Sequence, residues 1–193
     1  DARDVFMSLW NHYDNYTDAM MKSLNDLGGE PFPHPPEDIH ECWRNWITRG
    51  WFEWETEGWP FWSNLHHTRT YWEHRHLSNL LLVHYADLLA DPQGQVRRVA
   101  DFLDLELSPE ELARTVRLAS FDAMKVSFKR DFDERFRQRF RGGTDAFLFK
   151  GTNGRWRAVL SDEDLVLYEE AKRRVLTPDC AEWLERGWLD SGE

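Results

Sequence analysis

Residues 79–92 read Asn79-Leu80-Leu81-Leu82-Val83-His84-Tyr85-Ala86-Asp87-Leu88-Leu89-Ala90-Asp91-Pro92, "NLLLVHYADLLADP", and the fold class turns on the apolar run Leu80 to Val83. The run is continuous and too short for a helix, so it predicts a strand buried on both faces, as strands of parallel sheets are. A strand of this kind among many helices predicts an α/β fold: a three-layer sandwich with a parallel sheet flanked by helices. One strand cannot make a sheet. The expectation is therefore that the remaining strands precede Asp1.

Outward from the run, the chain reads as helices. Asp1 can cap a helix with Asp4 in its first turn, and Val5, Leu9, Tyr13, Tyr16, Met20 and Leu24 recur at steps of three or four. That spacing predicts one long amphipathic helix ending at Gly28-Gly29. Pro31, Pro33, Pro35 and Pro36 make a stiff connection to a second helix, marked by Ile39, Trp43, Trp46 and Ile47 and ending near Gly50. A third follows Pro60, with Trp62, Leu65, Arg69, Trp72 and His76 along one side. Beyond the run, Val96, Val99, Ala100 and Leu103 mark a helix, Ser108-Pro109-Glu110-Glu111 forms a capping box ahead of Leu112 and Val116, and Ser161 with Asp164 opens another helix. Thr177-Pro178 starts the last one, which stops at Gly187.

The composition narrows the function. The chain has 193 residues, 41% hydrophobic and 15% aromatic, which fits one globular domain over residues 1–193. A formal charge of -11 argues against nucleic-acid binding, because phosphate backbones are held by many cations acting together. An anionic ligand must then meet a local cationic pocket. Cys42 and Cys180 stand far apart in helical patterns, so neither a disulfide framework nor a metal knuckle is indicated, and a reducing, cytoplasmic setting is expected. No run of about 18 apolar residues suggests a membrane span.

Such a local pocket has a candidate in Phe149-Lys150-Gly151-Thr152-Asn153-Gly154-Arg155-Trp156, "FKGTNGRW". Glycine lets backbone amides approach a ligand, and lysine and arginine supply charge for an anion; a glycine turn flanked by surface cations reads the same way. Tyr85 follows the expected strand, where ligands collect in open parallel sheets, although a core tyrosine with a bonded hydroxyl has the same signature. Ser8 shares a helix face with Asp4 and Asn11, away from the apolar stripe.

Read together in chain order, these stretches resemble the C-terminal two-thirds of a cytosolic-type sulfotransferase. Asp4, Val5 and Ser8 match an Arg-x-x-x-Asp-Val-x-x-Ser pattern whose arginine would fall just before Asp1; Tyr85-Ala86-Asp87 match Tyr-Glu-Asp; Ala119-Ser120-Phe121 match Thr-Ser-Phe; and residues 149–156 match Arg-Lys-Gly-x-x-Gly-x-Trp. The resemblance implies a P-loop-like α/β domain that transfers a sulfuryl group from 3'-phosphoadenosine 5'-phosphosulfate (PAPS) to a hydroxyl or amine, releasing 3'-phosphoadenosine 5'-phosphate (PAP). It implies that Ser8, Tyr85, Ser120, Phe121, Lys150 and Gly151 contact the nucleotide: Ser8, Lys150 and Gly151 at the 3'-phosphate, Tyr85, Ser120 and Phe121 at the adenine.

Some positions depart from that pattern. Phe149 stands where the family has arginine, with Arg155 nearby as a substitute, and Ala119 lacks the family's hydroxyl. The sequence after Trp156, "RAVLSDEDL", does not match the family's Lys…Thr-Val…Glu dimer motif. The family's phosphosulfate-binding loop and catalytic histidine precede the first matched segment, so no catalytic residue is assigned here and the isolated chain is expected to be inactive. The implied acceptor is a small, partly apolar molecule.

Other clusters support duller readings. His66, His67, His74 and His76 lack an acidic or thiol partner and are expected to bind no metal. Trp43, Trp46, Trp51, Trp54, Trp59 and Trp62 read mainly as helix packing, with a few available to an apolar acceptor pocket. In "KVSFKRDFDERFRQRFRGG", Phe128, Phe132, Phe136 and Phe140 fall at four-residue steps, as in an amphipathic helix with a basic face or a segment that folds over a ligand. A non-catalytic tryptophan-rich interaction module and a kinase-like nucleotide enzyme are the alternative functions.

Overall fold

The computed structural model describes residues 1–26 and 30–188. The chain runs through α1 (Ala2–Asp14), α2 (Asp18–Asn25), α3 (Ile39–Thr48), α4 (Asn64–Glu73), α5 (Tyr85–Ala90) and α6 (Pro92–Phe102). It continues through α7 (Pro109–Leu118), α8 (Phe121–Arg137), α9 (Thr144–Phe147), a 3-10 turn (Arg155–Ala158), α10 (Asp162–Val175) and α11 (Pro178–Arg186).

The expected three-layer α/β sandwich is overturned. Among the described residues there is no sheet, and the β-pairing present is an isolated antiparallel bridge between Tyr16 and Phe140. Leu80 to Val83 forms no regular element and pairs with no strand among the described residues, with Leu80, Leu81 and Leu82 half-buried and Val83 exposed. The physical reason is that an apolar run records only a demand for burial, whereas a strand also needs a neighbour for its backbone hydrogen bonds, and no described segment offers this one a β-ladder. Leu82 meets the demand by packing against the helical core. The run then delivers His84, which caps α5: Nδ1 accepts from the Ala86 N–H at 3.2 Å, and Nε2 donates to the Leu184 carbonyl at 3.0 Å. Burial pushes the His84 pKa down, in keeping with a neutral ring.

The expected long first helix is two. Thr17 stops it, accepting from the Met20 N–H as the N-cap of α2 and donating to the Gln138 carbonyl at 2.6 Å. Backbone bonds from Thr17 N to Arg139 O (3.0 Å) and from Arg141 N to Asn15 O (2.7 Å) fasten the break to the segment after α8. That partner is more than a hundred residues away, so local periodicity carries no trace of it. The expected end at Gly28-Gly29 lies outside the described residues.

The buried face of α1 keeps Tyr13 of the expected stripe, with Leu9 and Tyr16 partly buried against the core, but at its start takes Ala2, Phe6 and Met7 while Val5 is exposed. Both Val5 and Phe6 suit a core, and the larger ring takes it. Phe6 meets Trp43 edge-on at 4.9 Å, and Trp43 lies 5.5 Å from Trp46. The Trp43 indole donates to the Asp164 carbonyl at 3.0 Å, joining α3 to the start of α10. Around these rings pack Leu65 of α4, Tyr168 of α10 and Cys180 of α11, all fully buried. Ser108 and Ser161 head capping boxes at α7 and α10, and α11 ends at Gly187, where the sequence places these boundaries.

Candidate functional site

With Phe6 and Tyr13 turned into the core, the opposite side of α1 presents Asp4, Val5, Ser8, Asn11 and His12 to a cavity of about 420 Å³. That volume is in the range of small-molecule sites. Tyr85 at the start of α5, Phe121 and Met124 from the first turn of α8, and residues 147–153 with Arg155 complete the wall. Ser8, Tyr85, Phe121, Lys150 and Gly151, far apart in the chain, thus line one cavity. Ser120 does not: its hydroxyl accepts from the Ala123 N–H at 3.3 Å and donates to the Arg117 carbonyl at 2.9 Å, capping the helix that begins with Phe121.

The loop over the cavity is held on both sides. Tyr85 Oη donates to the Gly151 carbonyl at 3.0 Å, and the Gly154 N–H donates to Asp4 Oδ1 at 2.7 Å. Gly151 has φ +63°, and a Cβ there would lie 2.4 Å from Cδ2 of Phe121, so both the backbone region and the close approach require glycine. Just before the loop, Asn11 Nδ2 donates to the Ala146 carbonyl at 2.7 Å and His12 Nε2 lies 3.0 Å from the Phe147 carbonyl. A carbonyl only accepts, so His12 carries its proton on Nε2. Its ring stacks on Phe147 at 5.0 Å. Just after the loop, Trp156 is buried beneath the Arg3 guanidinium, 4.0 Å from its ring.

Charge is distributed unevenly here. Asp1 pairs with Arg3 at 2.8 Å, and Asp4 is engaged with the Gly154 amide. Lys125 is held by Asp145 at 3.2 Å. Lys150 and Arg155 are left: among the described residues no carboxylate lies within 4.0 Å of either, and both flank the Phe149 ring, at 5.2 and 5.4 Å from its centroid. An acidic protein therefore presents two cations free of direct ion pairs at a cavity that also carries the Asp1 and Asp4 carboxylates, and an anion seated at the Lys150 and Arg155 end would pair with them.

The remaining clusters lie elsewhere. Trp43 and Trp46 belong to the core, whereas Trp54 and Trp62 are 70% and 78% exposed. Among the described residues no group of three or more metal-ligating side chains gathers, the histidines of α4 included. Several cations of α8 are matched by acids, Arg130 by Asp131, Arg137 by Asp133 and Lys129 by Asp145, while Phe128 and Phe136 stack at 5.9 Å. Asp4 was placed from sequence on the helix face of Ser8, whereas His12 and Phe147 were not singled out. The helical spacing of His12 from Ser8 could have signalled it; Phe147 carries no local signal. No helix among the described residues is long and apolar enough to cross a membrane.

Residues 1–177 match the family described as sulfotransferase domain. Among characterised relatives, the luciferin sulfotransferase of Photinus pyralis is 26% identical over 121 residues, covering 61% of this chain and 33% of that protein. Sulfotransferase 2A6 of Rattus norvegicus is 31% identical over 91 residues, covering 47% and 32%. The chain thus spans about a third of the length of these relatives. A crystal structure of a mouse sulfotransferase complexed with PAP superimposes with a TM-score of 0.66 at 16% identity, over 96% of this chain and 59% of that one, and shows likeness of fold. Retinol dehydratase in complex with androsterone and inactive cofactor PAP superimposes equally, TM-score 0.66, at 25% identity over 92% and 46%.

Proposed function

As this chain belongs to the sulfotransferase family, we propose that its cavity holds the adenosine and 3'-phosphate of PAPS, and that the whole protein transfers the sulfuryl group to a small, partly apolar alcohol, phenol or amine. In that reaction an acceptor oxygen or nitrogen attacks sulfur, the bond from sulfur to the phosphate oxygen breaks, and PAP leaves while a base takes the acceptor's proton. Catalysis of this kind rests on alignment and on charge placed where it develops. The residues of this chain serve the donor: Phe121 offers a ring to the adenine, Tyr85 borders it, Ser120 acts through Phe121 by capping its helix, and Ser8, Lys150 and the Gly151 backbone meet the 3'-phosphate. No side chain here is assigned to proton removal.

The observation that carries the reading is that Ser8, Tyr85, Phe121, Lys150 and Gly151 line a single cavity bearing cations free of direct ion pairs. The chemistry of the wall suits the ligand: an aromatic face and a half-exposed phenol for a purine, hydroxyl and ammonium for a phosphate. The androsterone in the retinol dehydratase complex supports an apolar small-molecule acceptor in this fold. Calorimetric titration of PAP into the protein and into Lys150→Ala tests it. One charge-assisted contact predicts PAP binding weaker by about 10- to 100-fold in the variant. Equal affinity in both, or no binding to either, would remove the proposal.

A further inference from the structure

Position 149 is phenylalanine, yet the charge needed beside Lys150 is present in the fold. Arg155 lies half-buried on the cavity wall with no hydrogen-bond or carboxylate partner among the described residues, and its guanidinium stands 5.4 Å from the Phe149 ring centroid. Lys150 Nζ lies 5.2 Å from the centroid of that ring. Its donors are thus engaged by no described protein group, and an anion in the cavity would accept charge-assisted hydrogen bonds from them.

We infer that Arg155 is the second cation for the 3'-phosphate, delivered from the far side of the loop, with Phe149 as the apolar platform that holds Arg155 and Lys150 apart around the phosphate. The inference rests on the donor-nucleotide reading above and adds which residue grips the phosphate. A phosphate monoester carries close to two charges, more than one ammonium neutralises, and a planar guanidinium can engage two of its oxygens at once. Arg155 is fixed at its base: the Gly154 amide is bonded to Asp4, and Trp156 on its other side is buried.

The test titrates adenosine 3',5'-bisphosphate and adenosine 5'-monophosphate into the wild-type protein, Arg155→Gln and Arg155→Lys, after matching circular dichroism and melting temperatures. The expected result is a loss of about 10- to 100-fold for the bisphosphate in Arg155→Gln, less than about twofold for the monophosphate, and a smaller bisphosphate loss in Arg155→Lys, which keeps charge without the fork. An unchanged bisphosphate affinity, or equal losses for both probes, would overturn the role of Arg155 while leaving the nucleotide reading intact. A wild-type protein that does not prefer the bisphosphate overturns both. Should Arg155→Gln fail to fold, Arg155→Lys decides: equal affinity for both probes relative to wild type refutes a need for the guanidinium geometry.

Discussion

Replacing Gly151 with alanine probes the loop at its tightest point. The backbone at φ +63° costs a non-glycine residue about 1–2 kcal/mol. The new methyl would stand 2.4 Å from Cδ2 and 2.7 Å from Cε2 of Phe121, far inside contact distance. Phe121 cannot easily withdraw, because it opens α8 directly behind the Ser120 cap. Relieving such an overlap costs about 1–3 kcal/mol more. The loop is the softer partner, held to the body by Tyr85 and by Asp4 through hydrogen bonds each contributing about 1 kcal/mol. The strain is therefore expected to displace the loop before it unfolds the chain, so the melting temperature falls by only a few degrees while PAP affinity falls at least about 30-fold. Gly154→Ala is the control: it imposes similar backbone strain at φ +80°, but its methyl meets nothing nearer than the Arg157 side chain at 3.6 Å. Calorimetry with PAP and thermal melts on both variants decide the matter. If Gly151→Ala binds PAP within twofold of wild type, or if the two variants behave alike, the reasoning from the Phe121 contact is wrong.

Two further outcomes follow from single contacts. Asp4→Ala removes the acceptor of the Gly154 N–H and is expected to cost about 1–3 kcal/mol of loop order, seen as faster hydrogen exchange at that amide, whereas Asp4→Asn retains an oxygen and most of the protection. Glu57 is fully buried and caps the start of α4 through the amides of Asn64 and Leu65; burial pushes its carboxyl from an ordinary 4.5 up to about 7, against the pull of those amides. The folded protein then keeps this proton where the unfolded chain releases it, so its contribution is full below about pH 4.5 and is lost as pH rises toward 7, by up to about 3 kcal/mol. Urea midpoints at pH 5 and pH 7.5 should differ less in Glu57→Gln than in wild type, and an identical difference would contradict the assigned cause.

The helix boundaries at Ser108, Ser161 and Gly187 were legible because they are local. The hydroxyls of Ser108 and Ser161 bond backbone three residues on, and the glycine after α11 stops it without reference to the rest of the chain. At the loop 149–156 the demand for glycine at 151 was legible, since only glycine tolerates the conformation and the contact there. Ser120 was legible as a neighbour of the site but not as a helix cap whose hydroxyl points away from the cavity.

The sequence by itself determined the capped starts of α7 and α10, the end of α11 and the need for glycine at 151, because capping and glycine conformation act within a few residues of where they are written. Tertiary structure alone decided that Leu80 to Val83 pairs with no segment among the described residues, that Thr17 breaks the first helix, and that Phe6 rather than Val5 enters the core. Each of these depends on a partner dozens of residues away or on its absence, and the free energy of a long-range contact has no period to read. The same holds for the gathering of Ser8, Tyr85, Phe121 and Lys150 around one cavity, with the Arg155 guanidinium beside the Phe149 ring.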